Sequence, residues 1–177
     1  MLIAIILAFL MFLTIFMPYV SASDKSAETI KELDALSAWM GRDSYYFKNF
    51  DSTGKDLINF SMAEIEDIYV IYYRGGGNIG IVVTWVILIA IFIIGALAFA
   101  FFKKTIAVFI FDLLAFIFFC IYSIAFDNDN YSCYIRIEYN FGIAYYLFII
   151  CAISILVCAI VTMVLEQISK QNTIKTQ

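Results

Sequence analysis

The sequence contains no histidine. That removes the commonest general base and the commonest transition-metal ligand before any motif is considered. Charge is also scarce, at 15% of residues where a soluble domain carries about 25%. The net charge of −4 argues against a nucleic-acid partner. Four cysteines are present, Cys120, Cys133, Cys151 and Cys158, and no two lie within three residues of each other. A C-x-x-C redox or metal pair is therefore excluded. These absences leave no catalytic constellation, no metal set and no cofactor motif, so the chain is expected to be non-enzymatic.

What fills the chain instead is apolar surface. Hydrophobic residues reach 64% of 177, against roughly 45–50% in a soluble domain. So short a chain cannot hide that much in one core, so the expected solvent is lipid. Four apolar runs cover residues 2–20, 79–102, 105–126 and 141–165. Each approaches the ~20 residues a helix needs to cross a bilayer core of about 30 Å. Asp112 is the only charge inside them. The expected fold is an all-α integral membrane protein with four transmembrane helices. A small mixed α/β extracytoplasmic cap, residues 21–78, lies between helices 1 and 2.

Short-loop lysines set the expected orientation. Lys103 and Lys104 fill the turn between the second and third runs, which places that turn in the cytoplasm. The tail, residues 166–177, carries Lys170 and Lys175 on the same side. Both termini are then inside, while residues 21–78 and 127–140 are outside, in what is expected to be a cell membrane. The sequence MPYVSA, with Val20 and Ala22, also resembles a signal-peptidase site. Against cleavage, the run lacks a positive start and exceeds the 7–15 residues of a usual signal core.

Gly75, Gly77 and Gly80 in RGGGNIG satisfy the dinucleotide-binding pattern G-x-G-x-x-G. The pattern needs a strand before it and an amphipathic helix after it. Here the following helix is apolar on every face, and residues 96–102 hold no acid for a ribose. Gly75, Gly76 and Gly77 are better read as a turn, or a hinge, into the second span. Within residues 21–78, Ser23 is positioned to cap a helix over 24–40 that ends at Gly41. Residues 45–50 and 55–60 flank DSTG as a possible hairpin. Ser61-Met62-Ala63-Glu64 matches a capping box, with a helix or a strand to follow. Asn59-Phe60-Ser61 and Asn130-Tyr131-Ser132 match the glycosylation sequon.

Asp112 is the principal candidate site residue. A charged side chain at a span centre costs roughly 2.5–3.5 kcal/mol on insertion scales. Counting from the turn places it about 10 Å deep at 1.5 Å per residue. That is level with Gly95 and Cys158. It is either an ion or proton site or an interhelical hydrogen-bond site, with Thr162 as a candidate partner; a bond to a partner subunit is a third option. Ala144, Cys151, Ser154, Cys158 and Thr162 fall on one helix face, and Gly95, Ala96 and Ala100 offer small residues for close packing. Cys133, alone in an outer loop, is a candidate for bridging to another chain.

Four spans and four cysteines resemble the disulfide-generating membrane oxidoreductases, but the C-x-x-C pair their chemistry needs is missing. The threading also resembles claudin-type proteins, with inside termini and a large first outer loop. Their tryptophan–glycine–leucine–tryptophan signature and cysteine pair are absent: Trp39 is the only tryptophan in residues 21–78, and that segment has no cysteine. Neither family is assigned. The expected role is an accessory or structural subunit, or an interaction protein, working through helix seams and cap. Lipid and other membrane subunits, or further copies of the chain, are the expected partners. The alternative is a small transporter or channel subunit using Asp112.

Overall fold

A computed structural model of the protein describes residues 1–39, 58–64, 79–130 and 139–175. Nine elements follow in order. Helix α1 covers Leu2–Leu13 and runs into a 3-10 turn, Thr14–Phe16. Strand β1 is Pro18–Ala22, helix α2 Asp24–Trp39, and strand β2 Asn59–Ser61. Helices α3, Ile79–Phe101, and α4, Thr105–Asn130, come next. Strand β3, Tyr139–Phe141, precedes helix α5, Ile143–Lys175.

Among the described residues three helices, α3, α4 and α5, are long and apolar enough to cross a membrane. The first apolar run does not form a fourth helix of that kind. Its 12-residue helix rises only about 18 Å, well short of a core of about 30 Å. Pro18 is the cause. It has no N–H to continue a helix and pushes the residue before it into extended backbone. Met17 closes the last turn by donating its N–H to Thr14 O at 3.3 Å, and the chain leaves as a strand. The last span is also longer than its apolar run. The expected separate tail continues the helix as far as Lys175.

The chain divides into two compact units. The helical unit contains Met1–Leu13, Trp85–Ile121 and Leu147–Gln177. Each of its helices buries a stripe on one face; in α1, α3 and α4 it advances by three and four residues in turn. In α1 these are Ala4, Ala8 and Met11; in α3 they are Ile89, Ile93, Ala96 and Ala100. In α4 they are Thr105, Val108, Asp112, Ala115 and Phe119, and α5 buries Phe148, Cys151, Ala152, Ile155 and Ala159. A mean period near 3.5 keeps one face on a neighbour, as in knobs-into-holes packing. Alanine recurs in every stripe because lipid offers no hydrophobic drive between helices, and close backbone approach supplies the contact instead.

Aromatic rings reinforce the α3–α4 seam. Phe118 lies 5.3 Å from Trp85 and 5.2 Å from Phe92, and Phe111 lies 6.1 Å from Phe92 and 5.1 Å from Phe99, centroid to centroid. Both sets are spaced by seven, so the ladder follows the same repeat. Gly95 makes it possible: a Cβ there would overlap the Phe111 ring. Between α4 and α5, the rings of Phe119 and Phe148 stack at 3.9 Å and 5°.

The α3–α4 link is a Schellman turn. Lys104 N–H donates to Phe99 O at 3.0 Å and Lys103 N–H to Ala100 O at 3.2 Å. Lys103 occupies the left-handed position, φ 55°, where glycine is usual. Lys104 O then accepts from Val108 N–H at 3.0 Å, opening α4 directly.

The sheet unit contains Thr14–Thr84 and Tyr122–Tyr146. Its sheet runs β2-β1-β3, antiparallel throughout. Strand β1 pairs Val20 with Phe60 on one side and with Phe141 on the other. The β1–β2 register slips once, between Pro18 and Val20, where proline has no N–H to give. Gly142 N–H donates to Tyr19 O at 2.7 Å, and a Cβ on Gly142 would lie 2.5 Å from Pro18 O. Only glycine fits that approach.

Tyr19 is the hub of this unit. It is 0% exposed, its ring meets Tyr122, Phe126, Phe141 and Tyr145 at 5.5–6.1 Å, and its hydroxyl donates to Ser123 Oγ at 2.9 Å. Such edge and tilted ring contacts each add about 0.5–1.5 kcal/mol beyond area burial.

The start of α2 follows its sequence. Ser23 O accepts from Ala27 N–H at 2.8 Å, and Ser23 Oγ accepts from Ser26 N–H at 3.4 Å, as at an N-cap. The capping-box carboxylate forms too: Glu64 Oε2 accepts from Ser61 N–H at 3.0 Å and Ser61 Oγ at 2.7 Å. The helix or strand expected after it, and residues 45–50 of the expected hairpin, lie outside the described residues. The strand at Asn59–Ser61 takes β1 as its partner.

Candidate functional site

Asp112 sits in the buried stripe of α4, between Val108 one turn before and Ala115 one turn after. It is 0% exposed. Neither carboxyl oxygen has a hydrogen-bond partner among the described residues. Cys151 of α5, also buried, is near enough to interact with it electrostatically. An acid at this place follows the same three-and-four spacing as its apolar neighbours, so helix packing alone directs its side chain inward.

The expected partner does not reach it. Thr162 donates its hydroxyl to Cys158 O at 2.8 Å, on its own helix. Ser154 does the same to Ile150 O, at 2.7 Å. In a span the carbonyl four residues back is the nearest acceptor, and both hydroxyls take it. The small-residue face expected on α5 is accordingly shifted. Ala144 and Cys151 are buried, but the stripe continues through Ile155 and Ala159 rather than Ser154, Cys158 and Thr162. Once its hydroxyl is satisfied locally, a residue gains nothing from the seam, while alanine lets the helices close.

Gly95 does not seat the acid either. Its open side holds the Phe111 ring, one residue before Asp112. Ala96 and Ala100 are both buried, at 0% and 1% exposure. Cys120, Cys151 and Cys158 are free thiols. Gly75, Gly76, Gly77 and Cys133 lie outside the described residues. Among the described residues, no cluster of three or more metal-ligating side chains occurs.

Two features were not foreseen. Thr105 is buried at the start of α4, and its hydroxyl donates to Glu166 Oε1 of α5 at 3.2 Å. Pairing across sixty-one residues leaves no local sequence signal. The second feature is a partly open groove of about 240 Å³ where α1, α4 and α5 diverge. Ile3, Ala4, Val108, Val157, Cys158 and Thr162 are among the residues lining it.

The class that emerges is a mostly helical, membrane-embedded protein with three span-length apolar helices and a small antiparallel sheet. No protein-family model, no curated protein and no solved structure matches the chain.

Proposed function

We propose that the protein is a non-enzymatic membrane subunit that works by contact, as an accessory or structural component of an assembly. One observation carries this reading: the in-span hydroxyls of Ser154 and Thr162 are spent on their own helix. A transport path through a bundle normally uses several polar groups on different helices. In this reading both termini and the Lys103–Lys104 turn face the cytoplasm of a cell membrane. Residues 21–78 form an extracytoplasmic cap, and residues 2–20 make the fourth crossing.

Mild-detergent purification of the full chain, with mass spectrometry of crosslinked material, tests the reading. A reproducible membrane-protein partner or a defined homo-oligomer is the expected result. A lone monomer under every mild condition refutes it. Accessibility labelling tests the threading, with Lys31 expected on the opposite side from Lys103 and Lys104.

A second reading has its own observation, the two unpartnered oxygens of Asp112. It makes the protein a small transporter or channel subunit with Asp112 as the ion or proton site. Asp112→Asn separates the two: flux through reconstituted vesicles lost with assembly intact supports transport.

A further inference from the structure

We infer that the groove between α1, α4 and α5 holds one acyl chain of an anionic phospholipid, with Lys103 and Lys104 against its headgroup. The groove favours an apolar guest. Most of its lining is apolar, and the Thr162 hydroxyl already donates to Cys158 O. An apolar cavity of about 150 Å³ is enough to take up benzene, so about 240 Å³ accommodates a longer piece of hydrocarbon. Its rim opens sideways at Ile3, Val157 and Val161, which are 62%, 53% and 51% exposed. In a membrane-embedded protein the medium on that side is lipid tails.

The headgroup assignment rests on charge and position. Val108, on the groove wall, is one helical turn from Lys104 and bonds its carbonyl at 3.0 Å. Residues four apart share a helix face, so the α4 wall of the groove begins one turn from Lys104. Lys103 and Lys104 are both exposed. Lys103 holds a left-handed conformation that glycine would adopt more cheaply.

The test uses the full chain in nanodiscs of equal phosphatidylglycerol and phosphatidylcholine, released into native mass spectrometry to count retained lipids. One retained phosphatidylglycerol per chain is expected. Val161→Trp, which fills the rim, should abolish retention. Because that variant could misfold, Lys103→Gln with Lys104→Gln is run beside it on the exposed turn. It should lower phosphatidylglycerol preference about fivefold per lysine, roughly thirtyfold together. Wild-type protein that retains no lipid, or retains both lipids equally, overturns the inference. So does a well-folded Val161→Trp protein that keeps phosphatidylglycerol.

Discussion

The helical unit and the sheet unit are held by different kinds of contact. In the helical unit each buried stripe is a local repeat within one helix, and the partners meet because all the stripes share a period. In the sheet unit three short strands, from residues 18–22, 59–61 and 139–141, meet across long separations, and one buried side chain, Tyr19, meets four aromatic rings. Many small, interchangeable contacts should tolerate substitution better than one concentrated hub.

The largest effect should fall on the hub. Tyr19→Ala removes a buried ring with four aromatic neighbours and should cost about 3–5 kcal/mol. Tyr19→Phe, which removes the hydroxyl that bonds Ser123, should cost about 1 kcal/mol. Thermal unfolding in detergent measures both, and equal effects would show that the ring cluster does not carry the unit.

Next in size is the close approach at Gly95 in the helical unit. Gly95→Ala should cost about 1–3 kcal/mol by overpacking against Phe111. Adding Phe111→Val should recover much of that loss, because valine has no atom at the Cδ1 and Cε1 positions that crowd the new Cβ. A double variant no better than the sum of the singles would mean the two positions are not coupled.

Asp112→Leu should move the other way. Replacing a buried, unpartnered polar group by an apolar one of similar size should stabilise the fold by about 1–3 kcal/mol. Steric trapping or denaturant unfolding in bicelles reads the change. Destabilisation by a similar amount would reveal a partner for the carboxyl.

The smallest effect belongs to the turn. Lys103→Gly should stabilise by about 1 kcal/mol, since it relieves a left-handed conformation in a non-glycine residue. The same thermal assay checks it, and a loss of stability would show that the lysine side chain outweighs the backbone cost.

The two units also differ in how far they could be read in advance. The three span-length helices, the Lys103–Lys104 turn, the Ser23 cap and the Ser61–Glu64 bond were all legible, because each depends on residues a few positions apart. Ala96 and Ala100 are buried, and on α5 the buried stripe passes through Ile155 and Ala159 while Ser154 and Thr162 bond their own helix. Residue size and polarity do not say whether a hydroxyl will bond its own helix. The strand in the first apolar run was missed because Tyr19 and Val20 suit a span as well as a sheet, and only Pro18 marks the break.

Hydrophobic runs and local spacing determined that this chain belongs in a membrane, where its long helices lie and how α2 begins, since those follow from the burial of apolar side chains and from backbone groups a turn apart. Only the tertiary structure decided that residues 18–22 form the central strand, that Tyr19 anchors the sheet unit, and that Asp112 is enclosed without a partner while Thr162 turns to its own helix. Those outcomes depend on which distant segments meet, and the contacts that settle them do not exist until the chain has folded.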